Sequence, residues 1–264
     1  MPHGAAPAAG HDHDHHAAPD SWNDNITAIA RDLDKRIPTE VAFGMAETLA
    51  MQDAINRLEK RGVTRIVAIP LYISSHSPII GNFRYILGLQ EAPGSRTVVS
   101  KIDRVQSKAR FVFSGALDAD PMVSEILNEW ARPMSPDAAK TNLVIIAHGP
   151  NDEEDNVLWL ADIEKHAAYL KAKGFRSVEV LTHRNDAPKE IKDVARAAFR
   201  ARVEAAGRDG TNVVVPLLMS EGGIEDEVEG DLKGLKFVFA KPLAPHPNLA
   251  RWAEARYRAL SSGF

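Results

Sequence analysis

The chain contains no cysteine. That excludes disulfides, zinc–thiolate sites, iron–sulfur ligation and a thiol nucleophile, and leaves His, Asp and Glu for any metal chemistry. It has no apolar run near the roughly 20 residues that cross a bilayer, and no basic-then-apolar signal pattern at its start. No membrane span is expected. A basic excess is also missing. The formal net charge is −4, so nothing suggests a surface that neutralises phosphates, and no nucleic-acid partner is expected. No glycine-rich phosphate cradle is present, so no nucleotide cofactor is expected either. These absences leave a soluble protein, cytoplasmic as read, or periplasmic if an export segment precedes it.

What remains is ordinary globular material: 264 residues, 44% hydrophobic and 26% charged. That is enough for one large domain or two of usual size. The second half has the cleaner pattern. Leu143-Val144-Ile145-Ile146-Ala147 is a short, wholly apolar run ending at His148-Gly149, as expected of a parallel strand covered on both faces. A helix should follow to about Ala172, closed by Gly174. The strand Val178–Leu181 comes next. A helix from Pro188 should bury Ile191, Val194, Ala195, Ala198 and Phe199. The strands Asn212–Leu217 and Lys236–Ala240 follow, and the last helix, from Pro247, carries Leu249, Trp252 and Ala253 inward. Strands alternating with helices predict an α/β fold with a parallel, doubly wound sheet.

The first half repeats this order. Val41-Ala42-Phe43 matches Val178–Val180, and a helix with Leu49, Ala54, Ile55 and Leu58 matches the one after Pro188. Ile66–Leu71 matches Val213–Leu217, and Phe111-Val112-Phe113 matches Phe237-Val238-Phe239. The expectation is two tandem parallel-sheet modules related by a pseudo-twofold. A His-rich flexible segment spans 1–20, the modules span 21–132 and 142–264, and a linker with two prolines spans 133–141. On this alignment His3-Gly4 falls where His148-Gly149 falls, with only Met1 and Pro2 ahead of it. A truncated or mis-assigned start is therefore expected, with a strand, and a targeting segment if there is one, further upstream.

In an open parallel sheet, sites collect at the carboxyl ends of the strands. His148 and His3 end the first strand of each half, His183 lies past Leu181, His76 follows another strand, and His246 precedes the last helix. Only mid-helical His166 and the tract His11, His13, His15 and His16 depart from this bias. Neutral imidazole binds divalent metals and titrates near neutrality, so it can both hold a metal and accept a proton. Glu47 and Glu221 are candidate proton relays, although glutamates at helix starts are common because they suit the dipole. The His11–His16 tract, interleaved with Asp12 and Asp14, reads as a metal collector or a solvated loop.

Three short signatures carry a family resemblance. They are Ala147-His148-Gly149, Val215-Pro216-Leu217-Leu218-Met219-Ser220-Glu221-Gly222-Gly223, and Pro242-Leu243-Ala244-Pro245-His246-Pro247. Weaker copies are Pro2-His3-Gly4, the stretch from Ile69 to His76, and Leu117–Pro121. In this order the chain resembles the class II tetrapyrrole chelatases, the sirohydrochlorin cobalto- and ferrochelatases of the CbiX type.

The resemblance implies an ATP-independent lyase of tetrapyrrole or cobalamin biosynthesis. It would insert Co²⁺ or Fe²⁺, or Ni²⁺, as a substrate into a macrocycle held in a cleft between modules, within one chain or a homodimer. It implies His3, His148 and His76 as catalytic and metal-holding residues; by their places at strand ends and helix starts, Glu47, His183, Glu221 and His246 are expected in secondary roles. Where the family has Gly-Gly-His, this chain has Gly222-Gly223-Ile224. Arg84, Arg104 and Arg110 are candidates for pairing with substrate carboxylates. The rival reading is a non-catalytic carrier of metal or tetrapyrrole on the same fold. A two-lobed binding module fits the duplication but explains no histidine placement. Turnover against stoichiometric binding separates catalyst from carrier.

Overall fold

The structure, a computed structural model, describes residues 21–94, 102–208, 210–220 and 224–263. These form two compact units. The first comprises residues 1–117 and 244–264, and the second comprises 118–243. The helix that closes each half of the sequence thus belongs to the other half's unit.

In the second unit, β3 (Thr141–Ala147) is buried at every position. Its branched residues fit a strand with helices on both faces. It pairs in parallel with β4 (Ser177–Thr182) on one side and β5 (Thr211–Leu217) on the other, and β6 (Val238–Phe239) closes the order β4-β3-β5-β6. Alternation along the strands divides the core. Val144, Ile146 and Val214 share one face with Phe199 and Val203 of α6 (Lys189–Ala206) and with Val228 of α7 (Ile224–Asp231). The other face is covered by α5 (Glu153–Ala172) and α4 (Pro121–Ala131), which touch each other and the strands. Asp152 caps α5 by accepting from the N–H groups of Glu154 and Asp155, and Gly174 follows its end at φ +91°. The segment 133–141 lies inside this unit as two short 3-10 turns, Arg132–Met134 and Ala138–Lys140, leading into β3.

The first unit holds α1 (Ser21–Asp34), α2 (Thr48–Lys60), β1 (Arg65–Ala68), α3 (Ile79–Ile86), β2 (Arg110–Phe113) and α8 (Pro247–Ser261). Helix α8 packs on α1 and β1, and Ile55, Ile66, Phe83 and Ile86 belong to a shared apolar core. β1 and β2 are parallel. Their register pairs Val67 with Val112 and Ala68 with Phe113, the same repeat-related pairs as Val213 with Val238 and Val214 with Phe239. The duplication is therefore visible in strand register as well as in sequence. Ala46 and Arg184, both non-glycine, adopt left-handed backbone after corresponding segments, at φ +59° and +56°.

Several expectations need correction. Residues 41–43, expected as a strand, belong to no sheet. A strand persists only against a neighbour, and β4, their counterpart, pairs with β3 alone. Among the described residues of the first unit, no counterpart of β3 stands beside 41–43. β1 stops at Ala68, short of Pro70, whereas β5 continues through Pro216 because Ile146 of β3 pairs with it. β6 is an edge strand of two residues rather than Lys236–Ala240. Leu49 and Val194, expected to face inward, are 80% and 69% exposed. Leu49 sits in the first turn of α2, whose buried stripe is Met51, Ala54, Ile55 and Leu58. In α6 the buried residues are Phe199 and Val203, not Val194 or Ala198. Leu249, Trp252 and Ala253 are buried as expected.

A cavity of about 160 Å³ opens in the first unit between β1 and residues 37–42. Its walls are mostly aliphatic, and no candidate histidine lines it.

Candidate functional site

β3 delivers His148 to the carboxyl edge of the second unit's sheet. It is the first residue past the strand, and its side chain is 25% exposed. Its Nδ1–H donates to the Gly149 carbonyl at 2.7 Å. A carbonyl can only accept, so the ring proton sits on Nδ1 and Nε2 is the basic atom. Nε2 faces Asp186 Oδ2 at 3.4 Å. Burial pulls the imidazole pKa down. The hydrogen bonds with Asp186 and the Gly149 carbonyl, and the charges of Asp186 and Glu227, outweigh that and hold it above its ordinary value.

The residue after His148 must be glycine. Gly149 has φ +74°, and a Cβ there would stand 2.4 Å from Thr182 Cβ on the neighbouring strand. Close approach of the two strand ends brings Arg184 over the loop. Its N–H donates to the His148 carbonyl at 2.6 Å. Its buried guanidinium donates to the carbonyls of Pro150 and Asn151 at 3.0 and 2.9 Å and pairs with Glu153. One residue, through its backbone N–H at 148 and its guanidinium at 150 and 151, therefore ties down this loop.

His183, past the end of β4, is wholly buried, and its Nε2–H donates to Asp231 Oδ2 at 2.6 Å. Burial lowers its pKa against the opposing pull of Asp231. Its buried Nδ1 has no partner among the described residues, which also disfavours the cation, since protonation would place an unbonded donor there. Asp231 and Glu227 are in turn held by Arg196 at 3.3 and 2.6 Å. His183 thus anchors α7 to the strand ends, and α7 carries Glu227, whose charge acts on His148.

The remaining candidates are dispersed. His76, half-buried in the first unit, donates its backbone N–H to Ser74 Oγ at 3.1 Å. His246 caps α8, its Nδ1 accepting from the Asn248 N–H at 3.1 Å. Glu47 stands at the N-cap of α2 without a side-chain cap bond and is folded under Gly44. Arg84 lies over the Phe113 ring and Arg104 over that of Tyr85, at 5.4 and 5.2 Å, so both pack the first unit; Arg110 begins β2 and is exposed. His166 is buried, its Nε2–H donating to the Asp118 carbonyl at 2.9 Å and its Nδ1 accepting from Ser124 at 2.7 Å. His3, His11, His13, His15, His16 and Glu221 lie outside the described residues. Among the described residues no three His, Asp or Glu side chains converge on a metal position.

Sequence reasoning places His148 and His183 at strand ends. It missed Arg196, Glu227 and Asp231. An acidic helix reads as solvent-facing, and nothing in sequence spacing marks a His–Asp contact 48 positions apart.

The CbiX family model matches residues 15–133 and again 142–260. The chain belongs to the CbiX family. It is an internally duplicated member, each match covering one half. A search of curated proteins finds no match. Among solved structures, SirB from Bacillus subtilis with Fe³⁺ superposes with a TM-score of 0.62 at 17% identity, covering 91% of each chain. The sirohydrochlorin chelatase SirB from Bacillus subtilis subspecies spizizenii, in complex with cobalt, gives 0.60 at 14% identity, with 89% of this chain and 87% of that one covered. A multi-domain protein from Deinococcus radiodurans, with structural similarity to chelatases and two additional domains, gives 0.53 at 20% identity. That match covers 94% of this chain, which spans about half the length of the Deinococcus protein (52%). These likenesses establish the CbiX chelatase fold. Among the described residues no helix is long and apolar enough to cross a membrane.

Proposed function

We propose that this CbiX-family protein is a chelatase that inserts a divalent metal, Co²⁺ or Fe²⁺, into sirohydrochlorin or a related tetrapyrrole without ATP. The observation that carries the reading is His148. Its Nδ1 is committed to Gly149, which leaves Nε2 as a base beside Asp186 at a strand end. Insertion exchanges two pyrrole N–H protons for one M²⁺, so the site must accept protons as the metal enters. His148 Nε2 takes a proton or holds the incoming metal, and the Asp186 carboxylate stabilises the charge that then sits on the ring. Arg184 fixes the loop, and with it the direction of Nε2. His76 assists, and His3 supplies the equivalent group in the first half. Likeness to structures holding Fe³⁺ and cobalt supports the metal class.

The test is anaerobic insertion of Co²⁺ into sirohydrochlorin, followed by visible absorbance, with His148→Ala and His76→Ala in parallel. Multiple turnovers, reduced by about 10²-fold or more in His148→Ala, are expected for a group that transfers protons. A carrier would instead bind metal stoichiometrically without turnover. The departure at Ile224 keeps that reading in view, and metal binding that survives both substitutions would place it in the His11–His16 tract.

A further inference from the structure

Asp186 is the carboxylate that faces His148 Nε2, and its side chain is 70% exposed. An ion pair so open to water gains too little to hold a side chain in place by itself. The backbone must aim it. Arg184, at φ +56°, accepts at its carbonyl from the Ala187 N–H at 3.0 Å, which closes a four-residue turn with Asn185 and Asp186 at its centre.

Side chains along this segment alternate in direction. Arg184 and Asp186 reach the loop that carries His148. His183 and Asn185 reach α7. Two residues two positions apart on an extended chain thus meet two carboxylates one turn apart on a helix. His183 donates to Asp231 at 2.6 Å, and Asn185 Nδ2 donates to Glu227 Oε2 at 2.9 Å. Arg196 of α6 spans both carboxylates, at 2.6 Å from Glu227 and 3.3 Å from Asp231. Val228 and Leu232 root α7 in the core, wholly buried. Helix α7 is therefore a fixed post against which the turn is set.

Asn185 carries a stability cost. A carboxylate only accepts, so the amide nitrogen faces Glu227, and Oδ1 is left buried without a partner among the described residues. Stability alone does not favour a side chain that strands an acceptor. We infer that Asn185 and Glu227 are positioning residues of the proposed chelatase, through which α7 sets Asp186 beside His148 Nε2. The placement stands on this geometry, and its effect on metal insertion rests on the function proposed above.

The experiment compares Asn185→Ala, Glu227→Ala, Glu227→Gln, Asp186→Ala and the double variant Asn185→Ala/Asp186→Ala in the full chain. The first readout needs no turnover. It is the His148 Cε1–H resonance of the metal-free protein at one fixed pH, and Asp186→Ala defines its displacement when the carboxylate is gone. Asn185→Ala and Glu227→Ala should reproduce most of that displacement. Glu227→Gln, which keeps an acceptor for the amide, should restore the wild-type position. The second readout is insertion kinetics. The kcat should fall about tenfold in Asn185→Ala and Glu227→Ala, with KM for the macrocycle held within about twofold. Asn185→Ala should cost nothing further once Asp186 is absent. Thermal midpoints should stay within about 3 °C of wild type, because Glu227 and Arg196 are partly exposed. A wild-type resonance in Asn185→Ala would overturn the inference. So would equal displacement in Glu227→Gln and Glu227→Ala, since the carboxylate would then act by its charge alone, and so would additive losses in the double variant. If the wild-type chain shows no turnover, the chelatase reading fails and the resonances alone decide the placement.

Discussion

Nε2 of His148 stands 3.4 Å from Oδ2 of Asp186 while Nδ1 of the same ring is committed to the Gly149 carbonyl. On the proposed function, proton and metal would compete for that one nitrogen, and Asp186 would favour either cation.

Asp186→Asn should lower the His148 titration midpoint, read from the ring Cε1–H resonance by NMR. The acid limb of metal insertion should move to lower pH with it, because Nε2 then stays unprotonated down to a lower pH. The sign for folding is the reverse of the common acid-lability. With its folded pKa raised, His148 adds stability that is complete below its unfolded value of about 6.5. That increment is lost as pH rises through the folded value. An unchanged midpoint in Asp186→Asn would remove Asp186 from the site.

His166 and His183 act in the opposite direction. Both are held below the ordinary value of 6.5, chiefly by burial. The unfolded chain then binds protons that the folded chain refuses, so stability should fall as pH drops below about 6.5 toward the folded values. Urea unfolding at pH 7.5 and 5.5 should show a lower midpoint at the acid pH. A variant carrying His166→Gln should show a smaller difference between the two.

Ser124→Ala leaves the His166 Nδ1 acceptor buried without its 2.7 Å donor. The expected loss is about 1–3 kcal/mol in chemical denaturation, the range for stranding a buried polar group. Metal insertion per folded molecule should be unchanged. A neutral result on stability would mean that water reaches the site.

Arg184→Lys keeps the charge but loses the fork that spans Pro150 and Asn151. It should cost about 2–3 kcal/mol of stability and slow insertion, with metal affinity of the folded protein less affected than rate. Gly149→Ala should be at least as damaging, since its Cβ meets Thr182 in a left-handed backbone. Thermal unfolding measures both, and wild-type midpoints would show that the loop does not depend on them.

Much of this architecture was written in local pattern. β3, β4, β5, α5 and α8 follow from apolar runs, caps and the glycines that end helices, all properties of a few adjacent residues. The strand expected at 41–43 could not be judged that way, because whether a segment becomes a strand depends on what lies beside it. The exchange of α4 and α8 was equally hidden, since an apolar stripe on a helix does not say which sheet it covers. At the site, His148 was legible from its place after an apolar run, and Gly149 from the motif. Asp231 and Glu227 were not, because a carboxylate on an acidic helix looks the same whether it faces water or a buried imidazole.

The division into residues 118–243 as one continuous unit, and 1–117 with 244–264 as the other, sets an order of assembly on the ribosome. The second unit has all its own chain once Leu243 has emerged. The first must wait, with α1 and β1 uncovered, for α8, which follows the whole second unit in chain order. The half synthesised first is thus the half finished last, and a nascent chain stalled anywhere before Pro247 would present that open apolar surface to chaperones.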